Sequence, residues 1–334
     1  MPRPGCAGLL EGPSRIPGAR AGADPGLPPF APSSSRSLGR AGTLGRMAEE
    51  ILVTGARGAV GRAALEALVE RGARVRALVR DPGAAELPDG VASVVAGDLT
   101  RPDGLVPALE GVSAMLLMVV AGEDVAAVTA EARKRGVRRV VLISSGAVRD
   151  HVDRQRDLLA ERHARAERAV TVSGLEWVVL RPRWLARNAL WWSAALRTGR
   201  PVRLAYPEAV TAPVHERDVA EVAAVELLAD HGGSACRVLT GPRILTQADQ
   251  LRIIAEGTGA PARWERIPPR TWRRELQDHV PVEVLDALLH QQSTLTADQI
   301  QLSTETQRTL GRPALPFQDW VRHHRHAFLP DSRP

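Results

Sequence analysis

The chain has 334 residues, of which 44% are hydrophobic and 25% are charged, a balance typical of a globular protein with one large α/β domain or with such a domain and a smaller lobe. Six arginines and two carboxylates in residues 1–46 account for +4 of the net charge of +6, which leaves +2 for the remainder. Because binding to a phosphate backbone uses a broad cationic surface, this near-neutral body argues against a nucleic-acid partner.

The two cysteines and the apolar runs indicate the compartment and the class of protein. Cys6 and Cys236 lie too far apart in the sequence to indicate a disulfide framework or a metal-ligand cluster, and both thiols fit a reducing cytoplasm. No apolar run reaches the roughly 18 residues that a membrane span needs. We therefore expect a cytoplasmic protein, monomeric or homodimeric, without a membrane span, a metal site or a flavin site.

Residues 1–46 differ in composition from everything that follows. They hold eight of the 25 prolines and nine of the 29 glycines and show no hydrophobic period, so we expect a disordered or mis-called extension, with Met47 as the true start. A secretory signal is excluded because no apolar stretch follows Arg3, whereas a transit peptide stays an alternative. The remaining chain is predicted to divide into a core at 47–182 and a substrate lobe at 183–330, some of whose elements return to the core.

Short apolar strands and amphipathic helices alternate from Ile51 to Pro182. The pattern predicts strands at 51–53, 74–79, 91–96, 115–120, 139–143 and 177–180, and helices at 60–70, 124–135 and 157–172. Continuous apolar strands joined by helices indicate a Rossmann-type doubly wound parallel sheet, covered on both faces. Beyond Pro182 the alternation ends, and the predicted lobe includes two late helices, near 246–257 and 281–290.

A glycine-rich turn joins the first strand to the first helix. Gly55, Gly58 and Gly61 form a GxxGxxG run, in which we expect Gly55 to make the tight turn, Gly58 to admit a diphosphate and Gly61 to permit close packing of the helix. The amides that follow, at Ala59 and Val60, belong to a helix N-terminus, which attracts anions. The sequence therefore predicts a dinucleotide site, with a ligand-free turn as the alternative.

The residue at the end of the second strand indicates which dinucleotide is bound. NAD sites usually carry an acid there, but this strand ends at Arg80, whose guanidinium suits the additional 2′-phosphate of NADP. Arg57, in the glycine turn, can reach the same phosphate. We therefore expect NADP(H) to be preferred over NAD(H), unless both arginines are merely solvated surface charges.

Two further strand ends are candidate walls of the cofactor cleft. Asp98 and Leu99 follow the third strand, where Asp98 either accepts from the adenine amino group or caps the next helix. Met118 and Val119 end the fourth strand, where they either line the cleft or belong to the core.

The ordered series of motifs resembles the atypical short-chain dehydrogenase/reductase superfamily, in particular its NmrA-like and quinone-reductase-like branch. The similarity covers about residues 51–328. It rests on LVTGARGAVGR at 52–62, RALVRDP at 76–82, GDL at 97–99, ISSGA at 143–147, SGLEW at 173–177, LRP at 180–182, RDVA at 217–220, LTGP at 239–242 and LGRP at 310–313.

The Tyr-x-x-x-Lys pair that this superfamily uses for proton chemistry is absent from the chain. The one tyrosine is Tyr206 and the one lysine is Lys134, and neither stands on the helix after the fifth strand. The related Lys-x-x-x-Glu pattern of the branch falls on His163 and Glu167, with Leu159 where the tyrosine would be. The resemblance makes His163 a candidate for a cofactor contact or a general acid, whereas helical spacing also permits a solvated pair with Glu167.

Other site residues follow from the same resemblance. Ser144 and Ser145 end the fifth strand, and Ser145 matches the substrate-binding hydroxyl of the superfamily, with the capping of a turn as the alternative. The backbone at Pro182 is expected to meet the nicotinamide carboxamide. His163 and Ser145 are thus the candidate catalytic residues.

Tryptophans cluster after the sixth strand. Trp184, Asn188, Trp191 and Trp192 recur at helical spacing, which predicts one aromatic face that either forms the wall of a substrate site or packs the lobe. Tyr206 and His215 are candidates to add polar groups to the same cleft, although His215 more simply precedes a helix capped near Asp218.

Three functions are compatible with these features. The first is an NADPH-dependent oxidoreductase that transfers hydride to an apolar or aromatic small molecule, namely a quinone, a carbonyl or a conjugated alkene. The second is a non-catalytic NADP(H)-sensing regulator, as the NmrA-like resemblance allows. The third is a redox-neutral enzyme, an isomerase or a dehydratase, on the same fold.

Overall fold

Seven parallel strands form the central sheet in the computed structural model, in the order β3-β2-β1-β4-β5-β6-β9. The structure describes residues 50–119, 122–230, 233–261, 263–278 and 280–330. The chain divides into two units, Met1–Ala48 and Glu49–Pro334, and the predictions made for residues 1–46 lie outside the described residues.

The strands are β1 Glu50–Val53, β2 Arg74–Val79, β3 Ser93–Ala96, β4 Val112–Met118, β5 Arg139–Ile143, β6 Glu176–Pro182, β7 Val202–Leu204, β8 Val210–Thr211, β9 Ala235–Leu239, β10 Leu245–Thr246 and β11 Trp264–Arg266. The α-helices are α1 Ala59–Glu70, α2 Val106–Leu109, α3 Val125–Lys134, α4 Leu158–Val172, α5 Ser193–Arg197, α6 Glu216–Leu228, α7 Gln247–Thr258, α8 Pro269–Leu276, α9 Val282–Thr294, α10 Glu305–Leu310 and α11 Phe317–His324. The strand pairs β7–β11 and β8–β10 lie outside the main sheet.

The order of the strands creates a crevice at the middle of the sheet. The chain builds outward from β1 through β2 to β3, and then returns to the other side of β1 for β4, β5 and β6. Loops after β1 and β4 therefore leave in opposite directions, and ligands of open α/β sheets bind where the carboxyl ends of such strands separate. This topology places the glycine turn beside the ends of β4 and β5.

Alternating side chains of the strands pack against helices on the two faces of the sheet. Ile51 of β1, Val141 of β5 and Leu180 of β6 join one core with α1 and α6, and the intervening Leu52 and Leu142 are buried as well. Helix α4 packs against β5 and β6. Both faces are covered, which is why the strands consist largely of apolar residues and could be recognised in the sequence.

The predicted Rossmann-type doubly wound sheet is confirmed, with corrections at particular elements. Strand β4 begins at Val112 and ends at Met118, instead of spanning 115–120, and β6 continues to Pro182 because β9 pairs with its carboxyl end. The two later helices are confirmed as α7 and α9, whereas β9 was not predicted. Both α6 and β9 lie in the layers of the sheet.

Helix α6 begins at Glu216 and has His215 as its N-cap, so the expected cap near Asp218 is wrong. The Nδ1 atom of His215 accepts the amide of Arg217 at 3.1 Å and so caps the helix. Asp218 is fully buried and accepts instead from Arg312 and from the Leu315 amide, at 2.8 and 2.7 Å. A short acid beside an alanine-rich run is typical of a cap, but here it anchors the segment that follows α10.

A cluster of aromatic and titratable groups connects α11 to the start of α6. Trp320 donates its indole N–H to Glu216 at 2.9 Å and stacks on His324, with ring centroids 4.4 Å apart. His324 contacts the same carboxylate at 3.0 Å, and the Nε2 atom of His215 lies 3.1 Å from Nδ1 of His323. Burial lowers the pKa of His215 to about 4, against the opposing effect of Glu216.

No helix among the described residues is long and apolar enough to cross a lipid bilayer.

The low pKa of His215 makes the stability of the protein depend on pH. The folded pKa of about 4 lies below the ordinary histidine pKa of 6.5, so between these pH values the unfolded chain holds a proton that the folded chain lacks. The free energy of unfolding should therefore fall as the pH falls through this window, by about 1.4 kcal/mol per unit of pH from this group. Asn caps helices well and does not titrate, so His215→Asn should remove this part of the slope.

The measurement is urea-induced unfolding of the wild type and of His215→Asn at several pH values between 4.5 and 6.5. We expect the slope of the free energy of unfolding against pH to be smaller in the variant, by the contribution of about one bound proton. Parallel curves for the two proteins would show that His215 is not the group responsible.

Candidate functional site

A cleft of about 920 Å³ opens at the carboxyl ends of β4, β5 and β6. Met118, Ile143 and Pro182, the last residues of these strands, line its base, and Val60 of α1 lines the side nearest the glycine turn. Ten residues expected from the sequence to be near a ligand line it: Val60, Met118, Val119, Ser144, Ser145, His163, Pro182, Trp184, Asn188 and Trp191.

The glycine turn approaches its neighbours too closely for side chains. Gly55 has a left-handed φ of 62°, and a Cβ atom on it would lie 2.7 Å from Cγ of Met118. A Cβ atom on Gly61 would lie 2.1 Å from the carbonyl oxygen of Gly55, which also accepts the Gly58 amide at 2.9 Å. The close packing expected of Gly61 is therefore a contact with the Gly55 carbonyl in the turn.

The N-terminus of α1 has the properties of an anion site. Gly58 is its N-cap and provides no side chain to satisfy the first amides, and the first turn carries no acidic residue. The twelve residues of α1 orient their peptide dipoles toward Ala59 and Val60. Free amides, the dipole and a turn without side chains fit a diphosphate group.

The two arginines expected at a 2′-phosphate are both exposed. Neither Arg57 nor Arg80 makes a hydrogen bond or an ion pair within the described part of the chain. Hydrogen bonds from the amide and the hydroxyl of Thr100, each 2.9 Å long, hold the pKa of Asp98 below its usual value, and Arg80 adds to this shift.

One of the two expected roles of Asp98 was to cap the next helix, and the structure shows that it does not. Its bonds to Thr100 close a local turn, and the short 3₁₀ helix that follows has Arg101 as its N-cap. The side chain of Leu99 is buried in the core. The expected contact of Asp98 and Leu99 with a cofactor stays a prediction.

His163 lies in the cleft, and it makes no hydrogen bond to Glu167, which lies one helical turn away on α4. Its Nδ1 atom is buried and has no hydrogen-bond partner among the described residues. Burial lowers the pKa of His163 to about 4, with a smaller contribution from Arg162. The imidazole is therefore neutral at pH 7, when it carries one N–H donor and one acceptor nitrogen.

The alternative of a pair between His163 and Glu167 is wrong, because Glu167 belongs to a buried network with Ser144 and Arg181. Its Oε1 atom accepts the hydroxyl of Ser144 and Nε of Arg181, the latter at 2.9 Å, and its Oε2 atom accepts Nη2 of Arg181 at 2.6 Å. Arg181 also makes two bonds to Asp150, of 3.0 and 2.9 Å. The buried, charged guanidinium of Arg181 attracts the carboxylate more strongly than a neutral imidazole does.

The two serines at the end of β5 are therefore in different states. The Ser144 hydroxyl donates to Glu167, so its proton is occupied. Ser145 is half-buried, and its oxygen accepts the Ala147 amide at 3.2 Å, which leaves its hydroxyl proton available in the cleft. The turn capping considered for Ser145 is thus present and is compatible with a contact to a ligand.

The tryptophans after β6 separate instead of forming one face. Residues Ala186–Trp192 form a 3₁₀ helix, whose three-residue repeat differs from the α-helical spacing that was expected. Trp191 lines the cleft with 41% of its surface exposed, whereas Trp192 packs against an apolar cluster that includes Trp320. Trp184 lines the cleft and also contacts an apolar cluster around Trp272.

Tyr206 packs against that same cluster around Trp272 and is absent from the lining of the cleft, so its expected place at the substrate is corrected. His215 is likewise outside the cleft, at the start of α6.

Sequence reasoning missed two parts of the wall. Helix α9 contributes Leu288, Gln291 and Thr294, although only its existence was predicted. Arg149, Arg156 and Arg183 line the cleft as well. Arginine is so abundant in this chain that its presence in a loop carried no signal.

Comparisons with known proteins agree with this geometry. A family model described as NAD(P)H-binding matches residues 55–230. The (4-alkanoyl-5-oxo-2,5-dihydrofuran-3-yl)methyl phosphate reductase of Streptomyces griseus subsp. griseus is 35% identical over 285 residues, which cover 84% of this chain and 100% of that protein. The NAD(P)H azoreductase of Xenophilus azovorans is 27% identical over 286 residues, covering 83% and 99%.

A solved structure supports the fold in particular. The NADPH-dependent quinone oxidoreductase of Escherichia coli, complexed with NADPH, superimposes with a TM-score of 0.68 at 22% sequence identity, covering 82% of this chain and 99% of the other. At this level of identity the match establishes the shared fold.

The close approach of Gly61 to the glycine turn predicts the effect of adding one methyl group there. Because a Cβ atom would lie 2.1 Å from the Gly55 carbonyl, Gly61→Ala should displace the turn and weaken NADPH binding at least tenfold, as measured by titration calorimetry. Gly104→Ala is the matched control, since nothing lies within 4 Å of its Cβ position, and it should bind NADPH like the wild type. Equal affinities for all three proteins would contradict the assignment of the cradle.

Proposed function

The chain belongs to the NAD(P)H-binding family, among relatives that are NAD(P)H-dependent reductases, and on this basis we propose that it transfers hydride from NADPH to an apolar conjugated acceptor. The acceptor is a quinone, a carbonyl compound or a conjugated alkene. The observation that carries this proposal is a cleft beside the dinucleotide cradle that has an aromatic wall but neither a tyrosine nor a lysine among its described lining residues.

The composition of the cleft favours acceptors that need no strong acid. Leu159 lines the cleft at the position of the superfamily's tyrosine, and His163 is neutral at pH 7 because burial lowers its pKa to about 4. When hydride reaches a quinone or the alkene of an unsaturated lactone, the negative charge is delocalised onto an oxygen. Water can protonate such an oxygen after the transfer, so the protein needs only to bind and orient.

The substrates that the relatives' names describe share this chemistry. An acyl-dihydrofuranone, an azo compound and a quinone each contain an electron-poor double bond in conjugation. The relative with 35% identity is named as the reductase of an acyl-dihydrofuranone that carries a methyl phosphate group, so we place such an unsaturated lactone phosphate first among the acceptors to be tested.

The residues of the cleft then have separate roles. The reduced nicotinamide, when bound, supplies the hydride, and the protein supplies position and electrostatics. Gly55, Gly58 and the first amides of α1 would hold its diphosphate, and the backbone at Pro182 would meet its carboxamide. The neutral imidazole of His163 would donate its N–H to the ribose, which makes His163 a binding group rather than the proton donor.

On the acceptor side, the Ser145 hydroxyl has a proton to donate to the oxygen that gains charge, because the Ser144 proton is held by Glu167. Trp184 and Trp191 offer flat apolar surfaces for a ring. Asn188, between them, can hydrogen-bond a polar edge of that ring.

The first test is turnover. Purified protein is mixed with NADPH and a panel that contains an acyl-dihydrofuranone and a naphthoquinone, and the absorbance of NADPH is followed. We expect consumption well above the rate without protein, and its loss in Gly61→Ala. Tight NADPH binding without turnover across the panel would favour a sensing regulator, and conversion of an acceptor without net NADPH oxidation would favour a redox-neutral enzyme.

The second test concerns the choice of dinucleotide. We propose that Arg80, with Arg57, binds the 2′-phosphate of NADP, since a guanidinium pairs with phosphate through charge-assisted hydrogen bonds. Arg80→Asp should therefore weaken NADPH binding about tenfold or more while leaving NADH binding within a factor of about two to three, by calorimetry. Arg263→Asp, at another exposed arginine, is the control for the change of charge. An equal loss for both dinucleotides would contradict the role of Arg80.

A further inference from the structure

Three histidines and a glutamate form a partly buried group outside the cleft. We define the histidine cluster as His215 and Glu216 at the start of α6 together with His323 and His324 at the end of α11. The ring centroid of His215 lies 5.3 Å from that of His323 and 6.1 Å from that of His324. None of these four described residues lines the cleft, so the proposed reduction leaves their chemistry unused.

The hydrogen bonds of His215 and His323 determine where their protons lie. A backbone amide can only donate, so Nδ1 of His215, which accepts the Arg217 amide at 3.1 Å, carries no proton. The Nε2 atom of His215 therefore carries the N–H and donates it to Nδ1 of His323, 3.1 Å away. Both lone pairs of the two neutral rings are then occupied, and a further proton on either ring has to break one of these bonds.

His324 has the opposite protonation state. Its Nδ1 atom lies 3.0 Å from the Trp320 carbonyl oxygen, and its Nε2 atom lies 3.0 Å from Oε1 of Glu216. Both oxygens are acceptors, so both ring nitrogens donate and the ring is an imidazolium. Although burial disfavours both charges, these bonds raise the pKa of His324 and hold the pKa of Glu216 below its ordinary value.

The surroundings of His215 and His323 do not favour a second positive charge. Burial lowers the pKa of His215 to about 4, although Oε2 of Glu216 lies 3.6 Å from its Nδ1 atom, because that carboxylate is already engaged by His324 and by the indole of Trp320. The other charged residues around the cavity beside the cluster are Arg62, Glu66 and Glu70 of α1, Arg187 of the 3₁₀ helix, and Arg217 and Glu221 of α6. They include the ion pairs Arg62–Glu66 and Arg217–Glu221, and the side chains of Glu70 and Arg187 are exposed.

The residue before His215 holds the backbone of the aromatic wall. Val214 donates its amide to the carbonyl of Trp184 at 2.8 Å and accepts the Ala186 amide at 2.9 Å, within a short parallel bridge. Trp184 lines the cleft. A displacement of His215 at the start of α6 is therefore passed through one residue to the segment that carries Trp184.

Helix α11 supports the same wall from behind. Phe317 and Trp320 of α11 pack in one apolar cluster with Ala186 and Ala189 of the 3₁₀ helix. The same 3₁₀ helix carries Trp191, which lines the cleft. The contact of α11 with α6 and the position of the aromatic wall are thus connected by packing as well as by the backbone.

We propose that the histidine cluster is a pH-sensitive support for the acceptor side of the cleft. The neutral pair of His215 and His323, together with the charged His324, holds α11 against α6 and keeps the aromatic wall in place. A proton taken up by the pair breaks its hydrogen bond or the cap of α6, releases α11 and weakens acceptor binding. The inference rests on the proposed function only in taking the cleft as the place where the acceptor binds.

The direction of the effect follows from proton linkage. Below the ordinary histidine pKa of 6.5, the released pair binds a proton that the docked pair excludes, so each unit of pH favours the released state up to about tenfold. His324 acts in the opposite sense, because its raised pKa stabilises the docked state below pH 6.5 and this contribution is lost as the pH rises. Acceptor affinity should therefore be highest near pH 6.5, and its loss in acid belongs to His215 and His323.

Binding measures the acid limb without turnover. The protein is saturated with NADP⁺ and titrated calorimetrically at pH 6.5 and at pH 5.0 with 2-naphthol, a flat aromatic alcohol that stays uncharged over this range. We expect 2-naphthol to bind about threefold or more weakly at pH 5.0, as linkage to proton uptake by the released state requires.

A double variant separates titration from structural support. In His215→Asn/His323→Asn, Asn can cap α6 and neither amide takes up a proton. Its affinity for 2-naphthol should be the same at both pH values to within about twofold, whereas a purely structural role of the histidines would change the affinity and leave its pH dependence. His326→Asn, at an exposed histidine beyond α11, is the matched control and should behave like the wild type.

Hydrogen exchange locates the effect in the chain. Exchange of the NADP⁺-bound protein is followed by mass spectrometry at both pH values and expressed as protection factors, which correct for the chemical exchange rate. We expect peptides from α11 and from residues 184–192 to lose protection together at pH 5.0, while β5 keeps its protection. In the double variant, protection of these peptides should be the same at both pH values.

Equal affinity and equal protection at the two pH values overturn the proposal. So does a loss at pH 5.0 that persists in the double variant, because the proton is then taken up elsewhere, as at His163, whose pKa is also about 4. If 2-naphthol binds at neither pH, hydrogen exchange decides alone. Failure of the protein to oxidise NADPH overturns the proposed reduction without affecting either measurement.

Discussion

The buried ion pair between Arg181 and Glu167 is the interaction on which the candidate site depends. It joins β6 to α4, and through the Ser144 hydroxyl and Asp150 it also holds the end of β5 and the loop that follows. Two charges removed from water are stable only when most of their hydrogen bonds are made, as they are here. Removing one partner of such a pair typically costs about 3–5 kcal/mol, so these four elements keep their mutual positions as a unit.

This network explains how a chain without the usual tyrosine and lysine still has an ordered cleft. Glu167 holds the Ser144 proton and leaves the Ser145 hydroxyl as the donor that faces the cleft. The helix that carries Glu167 also carries His163, whose ring lies in the cleft as a neutral group at pH 7 because burial lowers its pKa to about 4. The cleft therefore presents neutral donors and cations, which is what the proposed reduction of an electron-poor acceptor requires.

The arginines of the chain fall into two groups with different physical roles. Many are paired, such as Arg139 with Glu176, Arg237 with Glu226 and Arg312 with Asp218, and these pairs connect elements of the fold. Arg57 and Arg80 near the glycine turn, and the arginines that line the cleft, form no ion pair with a carboxylate among the described residues. Composition alone could not distinguish the groups, because pairing depends on which acid each guanidinium meets after folding.

The sequence by itself determined the parallel sheet and the glycine turn, because both depend on local patterns: apolar strands buried on both faces, and glycines where Cβ atoms would collide with the turn. The start of helix α6 was misplaced, because the helix is buried on several sides and shows no clear polar face in the sequence. The partner of Glu167, the place of Tyr206 and the group of arginines in the cleft were decided only by the tertiary structure. Each depends on contacts between residues distant in the chain, where burial and charge outweigh helical spacing.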